Sequence, residues 1–204
     1  KLPPEAQRIL KEPALLTPNR LNRAEVSTEA SDANPEDVQA LLDYVVQDES
    51  GGNYNIIFGG RIVPGMEDMT IQQVIEEQRA NVRRTGGGAV GKYQMLRPEE
   101  AAAHVGLPLT AKFTKENQDK MAMYYLEMAG YSRFMKGRIS PQTFARGLAS
   151  QWAALHTAGG GSYYNDGVNK AGRSTNYQEL LQMIRNMAAK SPYNAPQNIS
   201  PSLR

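Results

Sequence analysis

A chain of 204 residues, 40% hydrophobic and 22% charged, is long enough to bury the core of one globular domain with tails. It contains no cysteine, which excludes disulfides and thiolate metal sites and leaves the redox compartment open. With 23 Lys and Arg against 21 Asp and Glu the net charge is only +2, so composition gives no support to nucleic-acid binding, and no apolar run approaches the ~18 residues a membrane span needs.

Residues 1–33 carry Pro3, Pro4, Pro13 and Pro18 with scattered base and no sustained apolar period. An extended arm or linker is expected there, and "SPYNAPQNISPSLR" at 191–204 predicts a similar tail. The chain opens at Lys1 without an initiator Met or a signal-peptide apolar region, as expected of a processed protein or part of a longer one. The folded part is expected at 34–190, without internal repeats. Its first helix has Asn34 as N-cap, Pro35 at the first helical position and Glu36 and Asp37 facing the positive end of the dipole. Its apolar stripe is Val38, Leu41, Leu42, Val45 and Val46, and Gly51-Gly52 should end it. "NIIFGGRIV" predicts a hairpin with a two-residue turn at Gly59-Gly60. Thr70, with Gln73 placed for a capping box, starts a helix through about Asn81. "RTGGGAVGKYQML" is expected to be a glycine-rich loop, followed by a helix from Pro98 to Gly106. A helix over 115–129 carries Met121, Tyr124, Tyr125 and Met128 and stops at Gly130. Ser140-Pro141 starts another with Phe144, Leu148, Gln151, Trp152 and Leu155, and the last runs over 175–189. The class expected is mainly α with one small hairpin.

Glu49 is the residue out of place. It follows Val45 by four and Val46 by three, so on a continuing helix it projects from the apolar stripe. A carboxyl there loses hydration, which raises its pKa, and the negative end of the helix dipole pushes the same way. A carboxylic acid kept protonated at the lip of a cleft is what general acid catalysis requires. Equally open on residues alone is a side chain that swings to solvent or pairs with Arg61.

Three segments, "ESGGNYNIIFGG", "TGGGAVGKYQML" and "QWAALHTAGGGSYYN", in this order, resemble the lysozyme-superfamily lytic transglycosylases, and among them the lambda-type phage endolysins. Glu49 stands where that family has its catalytic acid, followed by a Tyr-x-x-Ile-x-Gly-Gly strand at Tyr54 to Gly60. Thr85 to Leu96 resembles its Gly-rich Tyr-Gln loop with an expansion. Phe113, Thr114, Gln118 and Asp119 match a helix start, and Trp152 to Gly159 matches a Trp-Ala-Ala-Leu segment. The resemblance covers about residues 49–165.

The resemblance implies an α+β lysozyme-like fold, a helical lobe with a small β-hairpin flanking the active-site cleft. It implies cleavage of the MurNAc–GlcNAc β-1,4 bond of peptidoglycan by one Glu, with a 1,6-anhydro product. No cofactor is expected, and two histidines far apart without a carboxylate pattern give no metal site. The expected partners are peptidoglycan glycan strands and, through the Pro-rich arms, other phage virion proteins; the place of action is the bacterial periplasm or cell wall. A water-using muramidase and a catalytically silent virion module of the same fold are the alternatives. A muramidase would usually need a second carboxylate about 5–9 Å from the first. Asp48, Glu67 and Asp68 are the neighbours that come into question, and none has a motif of its own.

Beside Glu49, Ser50 is expected to bond the acid or the sugar, or to serve as a plain cap. Tyr93 and Gln94 are the expected glycan contacts, the first by ring packing and the second by its amide donor and acceptor, with core packing the alternative for Tyr93. The triple glycine at 86–88 would let backbone approach a glycan closely. His156 and Tyr163 are expected to line the cleft. Trp152 at helical spacing is expected in the core, His104 to be structural or exposed, and Met121, Met123, Met128, Met183 and Met187 to fill the core.

Overall fold

Asn34 starts the first helix through its own side chain. In the computed structural model, which describes residues 34–164, 166 and 169–193, its Oδ1 accepts the Glu36 N–H at 3.1 Å. Such a cap is worth about 1 kcal/mol. Helix α1 (Pro35–Val45) buries Val38, Leu41, Leu42, Tyr44 and Val45. It ends before the expected point. Residues 46–52 are successive turns, closed by Glu49 N–H to Val46 O and Ser50 N–H to Val46 O, both at 3.1 Å. Glu49 therefore lies beyond the helix, and its environment comes from tertiary packing rather than from the last turn of α1.

Strands β1 (Ile56–Ile57) and β2 (Arg61–Ile62) pair antiparallel with Ile57 opposite Arg61. The connection is thus three residues, Phe58 to Gly60, not two. Phe58 leaves the ladder because its N–H donates to Ala89 O at 2.7 Å, tying the hairpin tip to the glycine-rich loop. The acidic turn beyond the hairpin that holds Glu67 and Asp68 is a 3-10 turn at Met66–Asp68.

Helix α2 (Ile71–Thr85) has the expected capping box of Thr70 and Gln73 but runs past Asn81 to Gly86, which takes the left-handed conformation at its end. Asn81 is no terminator. Its amide reaches out to Phe58 O and Gly87 O and holds the next loop. Helix α3 (Pro98–His104) precedes α4 (Lys115–Ala129), which has the predicted bounds between Thr114 and Gly130. Met128 departs from expectation at 55% exposed, whereas Met121 and Met187 are buried. A short unanticipated helix, α5 (Tyr131–Met135), follows Gly130 directly. Helix α6 (Pro141–Gln151) stops before Trp152, which is extended, so Trp152 and Leu155 reach the core from irregular chain. Helix α7 (Tyr177–Ala189) closes the fold.

Helix α4 packs on α3 and α6, α6 on α7, α7 on α1, and α2 on α3. The contact of α4 with α6 depends on Gly147, where a Cβ would collide with the Ala129 carbonyl. Phe144 of α6 stacks on Phe134 of α5, ring centroids 4.7 Å apart. The architecture is mainly helical with one two-stranded antiparallel sheet, and no described helix is long and apolar enough to cross a membrane. The arms expected at 1–33 and 191–204 lie outside the described residues except for Ser191–Tyr193, of which Ser191 is buried with its hydroxyl donating to Met135 O at 2.8 Å.

Candidate active site

The turn after α1 carries two adjacent carboxyls in opposite environments. Glu49 turns toward the segment after α6, where its Oε1 accepts the Ala154 N–H at 2.9 Å. Burial pushes this carboxyl above its ordinary range. The Ala154 hydrogen bond pulls it down by less, and the neighbouring Asp48 charge adds to the rise. Oε2 has no hydrogen bond among the described residues, and it is not sealed from solvent. Asp48 points to the segment before α7. Burial would raise it too, but hydrogen bonds from Ser174, Arg173 and Thr175 outweigh that and hold it below its ordinary range. The Ser174 N–H lies 2.9 Å from Oδ2. The two neighbouring carboxyls are thus shifted in opposite directions, Glu49 up and Asp48 down.

Both carboxyls are framed by the chain between α6 and α7. The Gly172 N–H donates to Ala154 O at 2.7 Å. A Cβ on Gly172 would collide with the Asp48 carboxyl, so only glycine lets this segment close over it. His156 joins the two sides of the loop, with Nδ1 3.1 Å from Gly160 O and Nε2 2.9 Å from Gly172 O. Its ring is taken up by backbone rather than offered to a ligand. Arg61, the alternative partner for Glu49, pairs with Glu77 instead.

Ser50 fastens this turn to the glycine-rich loop. Its hydroxyl donates to Lys92 O at 2.5 Å and accepts the Gly52 N–H at 3.1 Å. Behind that bond lies a polar network the sequence reading missed. Lys92 Nζ, on a side chain only 8% exposed, donates to Asp43 Oδ1 at 2.7 Å and to the Tyr54 hydroxyl at 3.2 Å. Burial would depress the ammonium, but the bonds to Asp43 and Tyr54 outweigh it and raise its pKa. The Tyr54 and Tyr93 hydroxyls both donate to Asp119 Oδ1, at 2.9 and 2.7 Å. Gln118, fully buried, accepts the Lys92 N–H and donates to Tyr54 O and Phe113 O. Gly91 permits this, since a Cβ would collide with Gln118 Oε1. Gln118, Asp119 and Lys92 stood within motifs, whereas Asp43 and its pairing with Lys92 carried no sequence signal.

The remaining expected contacts divide. Tyr93 is 1% exposed and belongs to the core, where Trp152 Nε1 donates to its carbonyl at 3.1 Å. Its ring face is not open to a sugar. Gln94 is half-buried and, at φ 48°, the one non-glycine residue of positive φ among those described. Its Nε2 donates to Gly91 O at 2.9 Å, leaving Oε1 without a partner among the described residues. Such strain, about 1–2 kcal/mol, gathers at functional sites. Gly87 and Gly88 use their missing side chains against the Phe58 ring and against Val82 and Gln78, so they admit protein neighbours. Tyr163 is 39% exposed, with the Arg146 guanidinium 5.6 Å from its ring centroid.

Two concavities adjoin this region. One of about 440 Å³ is lined by Asp43, Val46, Gln47, Gly51, Gly52, Lys92 and Ser174. Another of about 530 Å³ is lined by Gln142, Thr143, Arg146, residues 157–159, Ser162, Tyr163 and Tyr177. Glu49 lines neither. Among the described residues no cluster of three or more His, Asp or Glu is placed to hold a metal. No family model, curated protein or solved structure matches this chain.

Proposed function

We propose that the chain is a peptidoglycan lytic transglycosylase of lysozyme-like fold, with Glu49 as its single acid and base. The observation that carries this reading is the state of Glu49: a carboxyl raised by burial, one oxygen fixed by Ala154 N–H and the other unbonded. The protonated carboxyl gives its proton to the glycosidic oxygen as the bond to C1 breaks. The resulting carboxylate takes the proton of the muramic 6-hydroxyl as that oxygen closes on C1. Atoms and charge balance without water, and the product is a 1,6-anhydro sugar.

The surroundings of the other carboxyls favour this over hydrolysis. Asp48 is engaged by the backbone of 173–175, Glu67 Oε1 accepts from Asn55 Nδ2 at 2.6 Å, and Asp68 is an exposed residue of the 3-10 turn. None is free beside Glu49 to activate a water in the way a two-carboxylate glycosidase requires. The ordered motifs around Glu49, the Gly-rich segment and the 151–165 loop support the peptidoglycan substrate and a virion-associated lysin that opens the bacterial wall.

Replacing Glu49 with Gln keeps the shape and the Ala154 bond but removes the transferable proton. Release of soluble fragments from purified sacculi should fall by about 10²–10⁴-fold, the usual weight of a general acid. Full release by Glu49→Gln would refute the assignment.

A further inference from the structure

The concavity of about 530 Å³ has a built character that the Glu49 chemistry does not use. Among the described residues, Arg146 is the only charged one in its lining. Arg146, Gln142 and the hydroxyls of Tyr163 and Tyr177 make no hydrogen bond or ion pair with any described residue. Thr157 and Ser162 are occupied instead, donating to Gly161 O at 3.0 Å and Ala153 O at 2.8 Å, so they shape the wall. The Arg146 guanidinium lies over the Tyr163 ring, 5.6 Å from its centroid. A guanidinium placed over an aromatic ring keeps its planar fork of N–H donors, which matches the two oxygens of a carboxylate. The wall residue Ser162 bonds Ala153, next in the chain to the Ala154 that holds Glu49. The wall of this concavity is thus tied to the same chain segment that holds Glu49.

We propose that this concavity is a binding site for the carboxylate of a short acidic peptide, namely the peptide stem borne by the muramic residue of the glycan. The identity of the ligand rests on the peptidoglycan reading above; the carboxylate chemistry rests on Arg146 and its neighbours. The site makes the chain selective for stem-bearing glycan.

Calorimetric titration of the whole chain with N-acetylmuramoyl-alanyl-glutamate, carboxylates free, against the same compound with both carboxylates amidated tests this without requiring turnover. The acid form should bind about tenfold more tightly, as one charge-assisted fork implies. Arg146→Gln should erase the difference, and Arg146→Lys should restore only part of it, the ammonium supplying charge but no fork. Both substitutions fall on an exposed side chain, and unchanged melting temperatures would show that the fold survives. Equal affinity for acid and amide, no binding, or a preference kept by Arg146→Gln would each overturn the proposal. A chain that discriminates acid from amide but yields no anhydro product would refute the cleavage reading alone. A chain that yields product and ignores the carboxylates would refute the stem site alone.

Discussion

At the scale of a residue, the account turns on the free energy of a proton at Glu49. Its pKa in the folded chain is raised, so folding favours the protonated form. The sign follows directly. The contribution to stability is full below the ordinary value of 4.5 and is lost as pH rises through the folded value. Glu49→Gln mimics the protonated acid and escapes that loss. The variant should melt at or above the wild-type temperature at pH 7, with the gap closing as pH falls below 4.5. A variant that melts lower than wild type at neutral pH would show that the carboxylate is stabilised in place, against the burial seen here. The proposed cleavage requires the same proton, so under that proposal activity should fall on the alkaline side at a pH above that of an ordinary carboxyl.

At the scale of elements, two contacts decide how the site is held. The first is asymmetric. Lys92 is 8% exposed on its side chain whereas Asp43 is 55% exposed. Asp43→Ala leaves a buried ammonium with only the Tyr54 hydroxyl, and should cost about 1–3 kcal/mol by urea denaturation. Lys92→Met removes the buried charge, lets Asp43 rehydrate, and should cost less. The reverse order would mean that the ion pair does not anchor the loop. The second contact is steric. Gly147→Ala drives a methyl into the Ala129 carbonyl, and α4 and α6 must part. A loss of about 1–3 kcal/mol is expected, the usual cost of overpacking; an unchanged midpoint would show that the helices have room.

At the scale of the whole molecule, what could be read from the sequence was what is encoded locally. Asn34-Pro35, Thr70 with Gln73, and Thr114 to Gly130 mark helix ends through bonds to backbone within four residues, and those helices begin where the residues say. What failed depended on distant partners. The hairpin gained a third loop residue because Phe58 bonds Ala89. Helix α2 ran past Asn81 because that amide had loop carbonyls to satisfy rather than its own backbone. Trp152 kept its place in the core but left its helix. At the site, the burial of Glu49 was expected, but from a helical stripe that ends at Val45; it comes instead from tertiary packing. The partner of this carboxyl was not legible, because an Ala154 backbone N–H is a group nearly every residue carries, 105 positions away. Tyr93 and Ser50 stood out as site residues for a related reason: their motif marks a tightly held loop, and these two side chains do the holding. The polar network of Lys92, Asp43, Tyr54, Asp119 and Gln118 fixes the glycine-rich loop beside the turn that carries Glu49.

The most direct test is the mass of what the intact chain releases from purified sacculi, compared with the same digestion by Glu49→Gln. The account predicts wild-type muropeptides one water lighter than hydrolytic fragments, with no new reducing ends, and none from the variant. Muropeptides that carry the added water, or anhydro products that persist in Glu49→Gln, would contradict it.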